Sequence, residues 1–135
     1  MAATYTTTIS VRTGADTVSA YFDNTDEQSI SLDVTLTASQ ANKQYNLNFV
    51  GARVKAYVIQ FDAAATIYVN AASTGSPALT IACVAGVPVI FHSLQGSGSN
   101  LFESPTPLTV TNFFITNGVA VANAGKIRVL YDPTP

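Results

Sequence analysis

The chain has 135 residues, 47% of them hydrophobic, so a single domain is expected whose core needs neither metal nor disulfide. Only 10% are Asp, Glu, Lys or Arg, against about 25% in a typical soluble domain, and the net charge is −2. Such a chain has no field with which to neutralise nucleic acid or to adhere to an anionic membrane, and Thr, Ser, Asn, Gln and Ala must keep its surface wet.

Alternation with a period of two dominates from the start. Tyr5, Thr7, Ile9 and Val11 oppose Thr6, Thr8, Ser10 and Arg12 on a first strand, and Val18, Ala20 and Phe22 alternate on a second after the turn Thr13-Gly14-Ala15-Asp16. The polar stretch Asp23 to Glu27 closes that strand, and Ile30, Leu32, Val34 and Leu36 make a third. Ala38 to Gln44 lacks a helical repeat and is expected to be a loop. Arg53 to Phe61 predicts the longest strand, with Ala65 to Asn70 as its hairpin partner across an Ala63-Ala64 turn. Leu79–Cys83, Val87–His92, Thr109–Thr116 and Lys126–Asp132 complete the set, and Val119 to Val121 is a candidate for one brief strand more. Eight or nine short strands with punctuating turns predict an all-β fold, an antiparallel β-sandwich or a closed barrel, with a jelly-roll sandwich as the preferred arrangement. The whole chain, 1–135, is expected to be one sandwich, with residues 1–8 as an N-terminal arm and 93–107 as a long contact loop.

The chemistry-bearing residues are few. His92 is the sole histidine and Cys83 the sole cysteine, so neither a nucleophilic triad nor a zinc site can be assembled, and no disulfide can form within the chain. Asp23, Asp26 and Glu27 cluster without the spacing of a calcium loop. Gly96-Ser97-Gly98-Ser99 lacks both the dinucleotide spacing and the lysine of a phosphate loop. No enzyme activity and no cofactor are expected. The N-terminus has neither a basic start nor an apolar stretch, so no secretory leader is expected; apolar runs broken by Gly and Pro fall short of a membrane helix. Arg53 with Lys55 and Lys126 with Arg128 are each two apart, so that if their strands are neighbours they form a basic patch. Uncharged hydroxyl and amide faces cost far less to dehydrate than ions, which suits burial against another protein and points to an assembly subunit.

In the C-terminal third of the chain the pattern runs from Gly86-Val87-Pro88-Val89 through the loop with Pro105 and Pro107 to Phe113-Phe114-Ile115-Thr116-Asn117. It closes on Ala124-Gly125-Lys126-Ile127-Arg128-Val129-Leu130-Tyr131-Asp132. From about Ala65 onward this resembles small β-rich virion proteins of tailed bacteriophages, most of all the capsid cement or decoration proteins. The resemblance implies a non-enzymatic protein folded in the host cytoplasm and placed on the outer capsid surface. Its implied partners are the major capsid protein and further copies of itself, as trimers or dimers, with no nucleic acid and no membrane. Neck, tail and fibre components are the nearest alternative within that resemblance. The expected contacts are Thr4, Tyr5 and Thr6 of the arm, which could add a strand to a neighbour's edge, together with Leu101, Phe102, Pro105 and Pro107 of the long loop and the bases Arg53, Lys55, Lys126 and Arg128. The rival is a carbohydrate-binding module, in which exposed Tyr21, Tyr57, Tyr68 or Phe102 would stack on sugar rings.

Overall fold

The computed structural model describes residues 3–13, 16–26, 28–92, 100–103 and 108–132, with side chains from Ser29 on except that of His92. It is all-β apart from one 3₁₀ turn at Gly51–Arg53. Strands β1 (Ala3–Thr13) and β2 (Asp16–Asp26) pair with each other from Thr13↔Asp16 to Ala3↔Asp26 as a separate two-stranded ribbon. The polar stretch that was expected to end the second strand is thus partly inside it.

The other eight strands are β3 (Gln28–Leu36), β4 (Lys43–Val50), β5 (Val54–Phe61), β6 (Ala65–Val69), β7 (Leu79–Cys83), β8 (Val89–His92), β9 (Thr109–Asn117) and β10 (Asn123–Tyr131). They form two antiparallel sheets, ordered β3-β10-β5-β8 and β4-β9-β6-β7, packed face to face as a β-sandwich. Apart from the β6–β7 hairpin, every connection from β3 to β10 crosses between the sheets. Strand β4 was not foreseen, although Tyr45, Leu47 and Phe49 alternate inward with Gln44, Asn46 and Asn48 outward. Residues 119–121 form a bend and not a strand.

The expected β5–β6 hairpin is corrected. β5 pairs with β10 and β8, whereas β6 pairs with β7 and β9 in the opposite sheet. Both strands carry a strongly apolar face, Tyr57, Ile59 and Phe61 on one and Ala65, Ile67 and Val69 on the other, and all six are buried in the common core. Side-by-side strands such as β5 and β10 bury their inward faces just as fully, so burial does not choose between the two arrangements; the link 62–64 turns between sheets because it hydrogen-bonds to the distant Asn123, Gly118 and Ala124.

One end of the core is closed by Phe102, which is fully buried. Its ring meets Phe49 and Tyr57 edge-on at 5.2 and 5.3 Å and stacks with Phe113 at 6.1 Å. The backbone around it is locked: Leu108 N–H donates to the Phe102 carbonyl at 3.0 Å and Gly51 N–H to the Leu108 carbonyl at 2.6 Å. The Asn100 amide donates to the Gly51 carbonyl at 2.8 Å and accepts from Phe102 N–H at 3.1 Å. A Cβ at position 51 would overlap the Phe102 carbonyl, which explains the glycine there. Phe102 was expected to touch a neighbouring protein; it is instead a core residue, because a large ring gains more by filling the open end of the sandwich than by facing solvent. Phe102→Ala should lower unfolding free energy by about 3–5 kcal/mol in a denaturant titration, whereas a loss under about 1 kcal/mol, typical of a surface position, would contradict this role.

Candidate interaction surfaces

The topology sets four connections side by side at the opposite end from Phe102. Because β3 lies over β4, β10 over β9, β5 over β6 and β8 over β7, the links 37–42, 118–122, 62–64 and 84–88 form a row across the sandwich in that order. Corners that leave one sheet for the other cannot continue a ladder, so their polar groups need other partners.

Two buried asparagines supply them. The Asn117 amide donates to the carbonyls of Thr37 and Val121, both at 2.8 Å, and its oxygen accepts from Val119 N–H at 3.2 Å. The Asn123 amide donates to the carbonyls of Ala63 and Ala64 at 3.0 and 3.2 Å and to Asn117 Oδ1 at 3.3 Å, while its oxygen accepts from Ala63 N–H at 3.0 Å. Backbone bonds reinforce the junction, from Ser39 N–H to the Val119 carbonyl, Asn117 N–H to that of Gln40 and Gly118 N–H to that of Ala64. The fourth link is tied by Gly86 N–H to the Phe61 carbonyl at 2.8 Å and by the Gln60 amide to the Gly86 carbonyl at 2.9 Å, with Gly86 at φ 68°.

Much of what this frame holds toward solvent is apolar, with Thr37, Ser39 and Asp62 exposed among it. Val84, Val87 and Val121 are 62, 52 and 63% exposed, three of the four large apolar side chains left exposed among the described residues. Ala38, Ala41, Ala64, Ala85, Ala120 and Ala122 are exposed beside them, and Asp62 is the one charged residue in the four links.

The flat faces of the sandwich differ from each other. Outward on the β4-β9-β6-β7 sheet, Gln44, Phe114, Tyr68 and Thr80 make a row across all four strands, flanked by Thr116, Thr66 and Ala82 on one side and Asn46 and Asn112 on the other. None is charged. Tyr68 and Phe114 are half-buried at its centre, and the side-chain oxygen of Asn112 is buried with no hydrogen-bond partner among the described residues. The outward side of the β3-β10-β5-β8 sheet carries Asp33, Lys126 and Arg128. Arg128 pairs with Asp33 at 2.8 Å; its hydrogen bond and then its charge hold that carboxyl below the usual carboxylate range, against a small opposing effect of burial and with Lys126 helping. On the same outward side Leu130 and Ala56, opposite each other, are buried away from the common core, and β2 of the ribbon comes close to β5.

The bases expected to form a patch are therefore neighbours only in part. β5 and β10 do pair, but antiparallel, with Lys126 opposite Gln60 and Arg128 opposite Val58, while Val54 lies opposite Tyr131. Lys55 is the extra residue at the bulge and Arg53 belongs to the 3₁₀ turn, so from Gln60, the partner of Lys126, they lie roughly 17 and 24 Å along the chain at about 3.4 Å per residue. Leu101 is half-buried beside the core, its N–H donating to the Tyr57 hydroxyl at 3.4 Å. Thr4, Tyr5 and Thr6 lie in β1 opposite Thr25, Asn24 and Asp23, so the arm is one half of a ribbon; their side chains, like Tyr21 and the prolines Pro105 and Pro107, lie outside the described residues. Tyr57 is buried like Phe102, which takes both from the set of rings expected to meet a sugar.

Among the described residues no three His, Cys, Asp or Glu side chains come together, and no helix is long and apolar enough to cross a membrane. Cys83 is buried, and burial pushes its thiol up to about 11. No protein-family model matches the chain, and no curated protein and no solved structure matches it either.

Two outcomes are expected. Asn117→Ala strands the Thr37 and Val121 carbonyls and should cost about 3 kcal/mol in chemical unfolding, while Gln44→Ala on the open sheet face should cost under about 0.5 kcal/mol; equal effects would contradict the junction's role. The Cys83 thiol stays neutral in the fold where an unfolded thiol ionises, so its stabilisation is complete below about pH 8.5 and is lost as the pH rises toward 11. Wild type should accordingly lose more stability than Cys83→Ala between pH 8 and 11, and parallel profiles would contradict this.

Proposed function

We propose that the chain is a non-enzymatic structural subunit, a capsid cement or decoration protein of a tailed-phage virion, which seats on the major capsid protein and adds buried interface between capsomers. The observation that carries this reading is the β4-β9-β6-β7 face, on which amides, hydroxyls and the rings of Tyr68 and Phe114 stand without one charge. Docking it dehydrates no ion, so apolar contact and hydrogen bonding are retained as net binding energy. The strand orders β3-β10-β5-β8 and β4-β9-β6-β7 support a jelly roll, two Greek keys wound together, an architecture that serves capsid proteins and lectins alike. The lectin-like reading has one observation in its favour, the adjacent Tyr68 and Phe114 rings beside Asn46 and Asn112 on that same face.

Light scattering of the protein mixed with empty phage shells tests the proposal. Saturation at a fixed ratio to capsid subunits is expected, lost on Thr80→Glu with Ala82→Glu and kept on Ser31→Glu on the other sheet. No association with shells, or loss through Ser31→Glu alone, would overturn it, and selective capture by an oligosaccharide array would move the assignment to sugar binding.

A further inference from the structure

The four-link end invites a separate assignment. Across the row, Val121 of the link 118–122 and the Val84-Val87 turn stand on either side of the short link Asp62-Ala63-Ala64. The surface is therefore two valine ridges with an alanine saddle between them. Exposed valines on mobile loops would lose much of their binding energy in becoming ordered. Here the asparagine junction and the Gly86 bonds have already ordered the backbone, so the ridges are preformed.

The charges at the rim say what fits. Asp62 and Lys126 are exposed and, with Gln60, Ala124 and Gly125, line one open cleft of about 290 Å³ beside the saddle. Among the described residues the ion pair is Arg128 with Asp33, and Lys126, opposite Asp33 in the sheet, acts on that carboxyl through its charge alone, so Asp62 and Lys126 are not ion-paired with each other within the chain. The other base at this end, Lys43 after the link 37–42, already donates to the Thr35 carbonyl at 2.6 Å, and an apolar centre bordered by Asp62 and Lys126 complements itself under a two-fold rotation, since each acid can then meet the other copy's base. The size of this end also fits: the four links hold about twenty residues, at the lower edge of the roughly 20–30 that each side gives to a standard interface.

We infer that the four-link end is a self-association surface, on which a second copy of this chain docks about a two-fold axis, valines at the centre and Asp62 of each copy facing Lys126 of the other. The contact is small and its exposed apolar residues few, so the dimer is a reversible one. It is read with no shell present, so its failure and the failure of shell binding are separate results.

The test is analytical ultracentrifugation of the full chain from micromolar to millimolar concentration, with circular dichroism to verify folding of each variant. A reversible dimer is expected for the wild type and a monomer throughout for Val84→Asp with Val121→Asp. Asp62→Lys alone and Lys126→Asp alone should each weaken dimerisation about tenfold or more, the scale of one lost charge pair, and the double variant should restore it. A wild type that stays monomeric at millimolar concentration overturns the inference. So does a dimer that survives the valine substitutions in a folded chain, or a double charge variant no tighter than the single ones.

Discussion

The buried pair Asn117 and Asn123 is the constraint on which the rest of the molecule depends. A sandwich whose chain changes sheet at nearly every connection gives up, at each corner, the ladder that would satisfy its backbone. At this end Thr37, Ala63, Ala64, Val119 and Val121 all present polar groups inward, and two adjacent side chains answer them while bonding to each other. Asparagine suits the task because its amide offers two donors and an oxygen with two acceptor sites in one plane, without the cost of a buried charge. The opposite end is closed by different means: the Phe102 ring fills the core, and Asn100 ties its loop to Gly51.

With both ends held, the surfaces fall into distinct classes. Charged groups lie on the β3-β10-β5-β8 side, where Arg128 and Asp33 pair in the open and contribute little to stability. The opposite sheet face is uncharged, and the four-link end is largely apolar. A protein that works by being buried against others benefits from this separation, since water leaves the uncharged surfaces at small cost while the charged side keeps the particle soluble. Burial of Cys83, well above the ordinary thiol range, likewise suits a structural part more than a reactive one.

Much of the sandwich was legible because period-two alternation is a local signal. β3, β7 and β9 stand close to where their alternating residues place them. β4 was missed although it alternates as well, since its outward residues are amides that also favour loops. The β5–β6 link shows what alternation cannot carry: Asp62-Ala63-Ala64 is short enough for a hairpin, and partners some sixty residues later, Asn123 with Gly118 and Ala124, make it a corner between sheets. Phe102 and the bases failed for a related reason. A ring in a Gly, Ser and Pro-rich loop resembles a contact residue until the open core end that takes it is known, and two basic pairs on adjacent strands become distant once the pairing is antiparallel. The two asparagines carried no signal as a pair, though Asn117 closing an apolar strand before Gly118 could have marked a cap.

Amide hydrogen exchange at Ala63 and Val119 tests the central claim most directly, since these N–H groups donate to the side-chain oxygens of Asn123 and Asn117. Protection close to that of the core strands is expected, with exchange only through global unfolding, although both residues sit in surface links. Exchange at the rate of an unstructured peptide would show that the asparagine pair does not hold the four links, and the preformed surface built on it would fall with it.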